Sequence, residues 1–362
     1  MKVLKKFLFN CLAAINVASI LLMLISGYSD HIVPGEHEWL ACAGMALPIV
    51  AAVNLLFIPL WVFLSWKRLW IPVVGYALAY VPIRIYMPLH IESDPPEDAL
   101  TLISWNVCGF GGNYKYEDAL DRVGDYAKQH HADILCLQED HNEKQAMEKL
   151  AEVFPYNDTT KVSNPSLKTI NCVGIHTRFP ILRKEVIDYG SKTNGSVAYY
   201  LQVGSDTVIV INNHLESTHL TTKERDRYKE MLKGGMSSDN AQDETKLLID
   251  ILGKSMVKRA SQARMVHEYV EQHRQYPVIV CGDFNDTPIS YTRRIMAEGL
   301  TDCYVETGRG IGVSYNKKGF NFRIDHVLAS DHFTPYGCKI DSKNDVSDHY
   351  PVLCWLKIAD KP

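Results

Sequence analysis

Charged residues leave three long gaps near the start of the chain. Phe7 to Ser26 is uncharged for twenty residues, which at about 1.5 Å rise each match a hydrocarbon core of ~30 Å. Trp39 to Trp66 is a longer uncharged run, interrupted only by Pro48, Asn54 and Pro59, residues a membrane helix tolerates when its neighbours satisfy the backbone. Leu69 to Leu89 is the third, with Arg84 and three prolines inside it, so its uncharged part ends after fifteen residues at Ile83. The pattern predicts transmembrane helices at about 7–26, 39–64 and 69–89 and a membrane anchor over residues 1–91. A cleaved signal peptide is the alternative for the first run, and the later runs would still hold the chain in the membrane.

Residues 92–98 are charged, contain Pro95 and Pro96 and have no periodicity, which marks a linker. From 99 to 362 apolar runs alternate with helical patterns. Strand-like segments fall at 100–107, 133–138, 170–177, 181–189, 196–203, 207–214, 277–282, 302–306, 322–329 and 351–357, with a hairpin turn at Gly204-Ser-Asp-Thr207. Helical patterns fall at 117–130, 141–153, 219–273 and 289–298. Mixed hairpins and helices predict an α/β body: a four-layered sandwich of two mixed β-sheets flanked by helices, preceded by the membrane helices.

Charge sharpens this division. Of 38 Lys/Arg and 42 Asp/Glu, residues 1–91 hold six and three, so an apolar, slightly basic head precedes a polar, slightly acidic body. A purely soluble protein is excluded, and so is a polyanion binder with a basic face. Lys2, Lys5 and Lys6 precede the first run, no Lys or Arg lies between Gly27 and Glu38, and Lys67 and Arg68 fill the next turn. By the positive-inside rule those basic segments are cytoplasmic, and a third crossing puts the body outside the cytoplasm, whereas two crossings would return it. Arg84 reads as a residue that snorkels to the headgroups. Trp39, Trp61, Trp66 and Trp70 sit where interfacial aromatic belts are expected.

The chemistry lies at the ends of the apolar strands, where polar residues recur. Asn106 ends Leu102-Ile-Ser-Trp-Asn106, and Glu139 ends Ile134-Leu-Cys-Leu-Gln-Glu139. Asn212-Asn-His214 follows Val208-Ile-Val-Ile211, and Asp283 and Asn285 follow Val278-Ile-Val-Cys-Gly282. Asp325 follows Phe322-Arg-Ile324, and Asp348-His349 precedes Tyr350-Pro351. Carboxylates and amides with no cysteine ligand favour Mg2+ or Mn2+ over zinc, and such a cation is held by one or two carboxylates together with substrate phosphate. The chemistry implied is hydrolysis at phosphorus.

In this order the set Trp105-Asn106, Gln138-Glu139, Asn212-Asn-His214, Gly282-Asp-Phe-Asn285, Arg323-Ile-Asp325 and Ser347-Asp-His349 resembles the endonuclease/exonuclease/phosphatase superfamily, over about residues 99–358. The resemblance implies Glu139 as principal metal ligand, helped by Asn106 and Asp348. It implies that Asp283 aligns or deprotonates water and that Asn285 holds the water or a phosphate oxygen. His349, oriented by Asp325, and His214 would donate to phosphate oxygens. An Asp283 base and a His349–Asp325 base both fit the sequence.

Other features read more plainly. Asp286-Thr-Pro288 resembles a helix cap. Gly109-Phe-Gly-Gly112 lacks the Lys-Ser/Thr of a P-loop and reads as a flexible connection. Thr221 to Lys246 mixes acids and bases as a solvated helical face does, a surface lid being the alternative. Tyr315, Asn316 and Asn321 are candidates for substrate contact or ordinary loop duty. The nine cysteines form no Cys-x-x-Cys, so a zinc or redox motif is disfavoured, and Cys136 and Cys281 read as core. The leading expectation is a membrane-anchored, divalent-metal-dependent phosphoesterase acting on a phospholipid or other small phosphodiester. A nuclease is the rival within that class, and a membrane sensor that binds a phosphorylated ligand without cleaving it is the rival outside it.

Overall fold

The computed structural model describes residues 2–91, 93–110, 116–141, 143–162, 171–218, 238–317 and 320–359, with single positions 224, 226, 227 and 230. The head consists of α1 (Lys2–Gly27), a short α2 (Glu38–Ala41), α3 (Leu47–Leu64), α4 (Trp70–Leu78) and α5 (Tyr80–Tyr86). The body adds α6 (Ala119–Gln129), α7 (Glu143–Leu150), α8 (Ser238–Gln272), α9 (Tyr291–Met296) and α10 (Cys303–Thr307).

One sheet has the order β13-β14-β1-β2-β4-β3, built from Phe333–Ile340, Val352–Ile358, Leu100–Asn106, Ile134–Gln138, Cys172–Thr177 and Tyr156–Lys161. The other has the order β5-β6-β7-β8-β12-β9, built from Ile181–Ile187, Gly195–Val203, Asp206–His214, Val278–Asp283, Asp325–Ala329 and Thr301–Asp302. Both are mixed: β1–β2 and β7–β8 are parallel and their other neighbours antiparallel. A hairpin of β10 (Tyr315–Lys317) and β11 (Phe320–Phe322) stands apart.

Two-residue alternation explains the layering. Leu102, Ile134, Cys136, Val208, Val210, Ile279 and Cys281 point between the sheets and form the central core. The residues one step along, Ile103, Leu135 and Leu137, pack under α6 and α7. Ile209, Ile211, Val278 and Val280 pack under α8 and α9. Helix, sheet, sheet, helix is thus the four-layered sandwich expected.

Several elements differ from the sequence expectation for local reasons. Residues 303–307 are helical rather than strand because the Asp302 side chain accepts from Val305 N at 3.0 Å and caps a turn. The cap of α9 is Ser290, whose hydroxyl accepts from Arg293 N at 3.2 Å, and not Asp286. The third apolar run is two helices, α4 and α5, bent by 61°. Pro82 lacks the N–H that would bond Leu78 O, and the Tyr28 hydroxyl donates to that carbonyl instead at 2.7 Å. Two helices, Val3–Gly27 and Glu38–Leu64, are long and apolar enough to cross a membrane, and the bent pair would make a third if it counts as one span. Gly111, Gly112 and most of 219–237 lie outside the described residues, and with them the second half of the glycine segment and much of the charged run.

Within the head, Trp61 Nε1 donates to Asn16 Oδ1 at 2.9 Å and Asn54 Nδ2 to Ser19 O at 3.0 Å, so its buried polar groups are paired. The head rests on the body. The Ser29–Ala46 segment meets α8 and the loop after β8, where a Cβ on Gly44 would collide with the Ile289 carbonyl oxygen and one on Gly253 would lie 2.8 Å from Glu38 Cβ. Arg294 Nε donates to Asp30 O at 3.0 Å, and Arg84 pairs with Glu306 at 2.6 Å. Buried Arg323 donates to Ile85 O and to Ile311 O, so its role is to lock α5 onto the body. Arg68 binds Phe9 O and Asn10, putting the Lys67/Arg68 turn beside the start of α1.

Candidate active site

Register brings the polar strand ends together. Asn106 pairs with Gln138 on parallel β1 and β2, His214 with Asp283 on parallel β7 and β8, and Asp283 with Asp325 on antiparallel β8 and β12. Gly282 allows the last step of β8: its φ is +127°, and a Cβ there would collide with the Asn213 backbone. Glu139 leaves β2 with φ +55° and Asn285 leaves β8 with φ +53°. Such backbone is uncommon for a glutamate, and the turn aims its carboxylate back across the strand ends.

All eight residues singled out in the sequence converge at this end of the two sheets. Asn106 Nδ2 donates to Glu139 Oε1 at 3.2 Å and to Asp283 Oδ2 at 3.0 Å, and its Oδ1 accepts from Cys108 N at 3.1 Å. His214 Nε2 stands 3.7 Å from both Glu139 Oε1 and Asp283 Oδ2. Asn285 N donates to Asp283 Oδ1 at 2.8 Å. His349 Nδ1 donates to Asp325 Oδ2 at 2.8 Å, and its Nε2 faces Asp283 Oδ2 at 3.7 Å. Asp348 Oδ2 accepts from Lys317 Nζ at 2.8 Å.

These contacts set the electrostatics. Burial pushes the Asp283 carboxyl up to about 6; the charge of Asp325 adds to that push, while His349 and His214 oppose it. Burial alone would lower His349, but the carboxylates of Asp325 and Asp283 outweigh it and raise the imidazole to about 10, which favours the imidazolium. Burial would raise Asp348; His349 and Lys317 hold it below the usual carboxylate range.

Several site residues escaped the sequence. Asn171 contacts His214 Nδ1 at 3.0 Å, and Lys317 neutralises Asp348. Arg259 of α8 is buried and donates to Asp286 Oδ2 at 3.1 Å and Glu216 O at 3.0 Å, fixing the loop after Asn285. No local pattern distinguishes Arg259 from the solvated charges of its helix. Tyr315, a candidate already named from the sequence, has its ring 4.9 Å from the His349 imidazole, between centroids. Asn212 and Asn213, by contrast, brace the sheets: Asn212 Nδ2 reaches Leu137 O and Gly174 O, and Asn213 Nδ2 reaches Cys281 O, each at 2.9 Å.

The donor set fits a hard cation. Among the described residues, Glu139, Asp283, Asp325 and Asp348 gather with one ammonium, that of Lys317, and Asp325 Oδ1 and His214 Nε2 are buried without a hydrogen-bond partner. A group whose candidate ligand atoms all lie within 4.8 Å of one another consists of Asp283, Asp325 and His349, none of which belongs to the expected set Asn106, Glu139 and Asp348. The imidazolium at its centre already supplies that trio with positive charge. Glu139, with a side chain 29% exposed to the cleft, lacks such a partner apart from His214 at 3.7 Å.

Residues 103–349 match the Endonuclease/Exonuclease/phosphatase family, and the chain belongs to that family, whose members hydrolyse phosphoester bonds and generally use divalent metals. Residues 5–86 separately match a domain of unknown function. No curated protein matches the chain. Among solved structures, the catalytic domain of human Nocturnin with bound sulfate anion is similar with a TM-score of 0.52 and 18% identity, covering 74% of this chain and 100% of that one. Humanized D. rerio TDP2 has a TM-score of 0.51 and 16% identity, covering 72% and 100%. An endonuclease/exonuclease/phosphatase from Bacteroides vulgatus has a TM-score of 0.51 and 15% identity, covering 72% and 99%. At these identities the likeness speaks for the fold.

Proposed function

We propose that this family member is a membrane-anchored, divalent-metal-dependent phosphoesterase whose catalytic body lies outside the cytoplasm. The observation that carries the reading is the meeting of Glu139, Asp283 and His349 on one cleft at the strand ends, with His214 and Asp325 buried directly behind them. Glu139 would hold Mg2+ or Mn2+, with Asn106 and Asp348 beside it. When bound, the cation would neutralise phosphate charge and polarise the ester.

The chain's own groups divide the remaining work. Asp283, fixed by the Asn285 N–H and the Asn106 amide, is the acceptor that orients a water and takes its proton. His349, whose Nδ1 is committed to Asp325, has only Nε2 to offer, and as an imidazolium it donates to a phosphate oxygen rather than acting as base. His214, whose buried Nε2 has no hydrogen-bond partner among the described residues, would donate to the same oxygens once substrate is seated beside Glu139 and Asp283. Asn285 holds the water or a phosphate oxygen.

The two ends of the head bear on orientation. The Lys67/Arg68 turn and the start of α1 lie together, and the body packs against the opposite, lysine-free Ser29–Ala46 segment. By the positive-inside rule this supports an extracytoplasmic body. The experiment is hydrolysis of bis-p-nitrophenyl phosphate by the full chain in detergent, stripped by chelator and reloaded with Mg2+ or Mn2+. Turnover that returns with metal supports the reading, and binding of phosphate esters without turnover would favour the sensor. A panel of phospholipids, inositol phosphates, DNA and RNA then ranks the substrates.

A further inference from the structure

The cleft that holds the catalytic groups is about 520 Å³, within the ~300–1,000 Å³ usual for small-molecule sites. Its far wall does not come from the sandwich. Trp39, Cys42 and Met45 enter it from the first turns of the second long apolar helix, Glu38–Leu64, and Leu248, Leu252 and Met256 enter it from α8. Cys42 Sγ meets Met256 Sδ at 3.6 Å, so head and body close this wall together. Trp39 on this wall is 62% exposed, and Trp66 and Trp70 are exposed at the opposite end of the head. Aromatic residues at both ends of an apolar bundle mark the two membrane interfaces, which places the Trp39 side of the cleft at the headgroup level.

The cations of this lining argue against a polyanionic substrate. Arg259 and Lys317 are the Lys/Arg side chains among the described lining residues, and Asp286 and Asp348 already pair with them. A nucleic acid strand needs several phosphate contacts and would find no spare cation among the described lining residues. A single phosphoester attached to a hydrocarbon chain would match both walls.

We infer that the substrate is a phospholipid drawn from the bilayer that holds the head, its phosphoester at Glu139, Asp283 and His349 and one hydrocarbon chain along the wall of Trp39, Met45, Leu248 and Leu252. This rests on the phosphoesterase reading above. Because burial of each methylene favours the bound state, chain length should raise kcat/KM steeply until the wall is filled. Half-buried Met45 and Leu252 supply the contact from the head and from α8.

Two diesters with one leaving group test it, methyl p-nitrophenyl phosphate and dodecyl p-nitrophenyl phosphate, each offered to the full metal-loaded chain in the same detergent micelles. We expect kcat/KM for the dodecyl ester to exceed that for the methyl ester at least tenfold. That ratio should fall several-fold in Leu252→Gln and in Met45→Gln. Mere partitioning of the dodecyl ester into micelles would leave the ratio the same in both variants, and that result overturns the inference. Equal turnover of the two esters by the unaltered chain also overturns it while leaving the phosphoesterase reading intact. Hydrolysis of neither ester overturns both.

Discussion

The Nδ1 of His349 lies 2.8 Å from the carboxylate of Asp325, and both side chains are buried. Asp325 opens β12 and His349 lies just before β14, 24 residues on in sequence, and the pair fixes which nitrogen of the imidazole faces the cleft. A histidine held this way works as a unit with its carboxylate. His349→Gln and Asp325→Asn should each lower kcat by about 10²–10⁴, the range for a positioned acid–base group. The double variant should be little worse than the poorer single one. Losses that multiply in the double variant would separate the two roles.

The junction of head and body is close enough to be felt at the site. Gly44 lies against the Ile289 carbonyl, four residues beyond Asn285, and a methyl group there forces backbone apart. Gly44→Ala should cost ~1–3 kcal/mol of stability, as overpacking does, and lower kcat/KM through the displaced loop. Thermal unfolding in detergent together with bis-p-nitrophenyl phosphate kinetics checks both effects. An unchanged melting temperature would mean that the head does not dock where described.

Two histidines outside the candidate site make stability depend on pH. Burial lowers His326 to about 4 and His176 to about 3, whereas an exposed imidazole titrates near ~6.5. The unfolded chain therefore binds protons that the folded chain refuses. This contribution is complete above about pH 6.5 and is lost as pH falls toward 4, at up to ~1.4 kcal/mol per pH unit for each histidine. The melting temperature of His326→Gln, followed from pH 7 to 4.5, should fall less steeply than that of the unaltered chain. Parallel curves would contradict the assignment.

The strand ends were legible because the chemistry and the β pattern coincide there: an apolar run that stops at Asn106, Glu139 or Asp283 announces both the strand and the polar group it delivers. The sandwich was legible for the same reason, its central strands being apolar on both faces. Edges were not. Strand β3, Tyr156-Asn-Asp-Thr-Thr-Lys161, is polar because it is an edge, and β13 is interrupted by Pro335 at a bulge. Lys317 and Arg259 were hidden because their partners, Asp348 and Asp286, are distant in sequence, and nothing local marks a charge as paired. Docking of the head onto α8, which builds the apolar wall, is likewise a tertiary fact with no local signature beyond Gly44 and Gly253.

Topology decides which substrates the site can meet. With three crossings, protease added to intact cells or spheroplasts should digest the body and spare the Lys67/Arg68 turn. A body protected until the membrane is permeabilised would return the site to the cytoplasm.

Metal dependence of the rate in Glu139→Gln tests the central claim most directly. The substitution keeps the shape of the side chain and the Asn106 contact while removing the charge that would hold the cation. Bis-p-nitrophenyl phosphate turnover, titrated with Mg2+ and Mn2+, should saturate for the unaltered chain. In the variant it should fall by about 10²-fold or more and recover only in part at high metal, as expected when a ligand carboxylate is lost. Undiminished turnover of Glu139→Gln at low Mg2+ would contradict a phosphoesterase centred on this carboxylate.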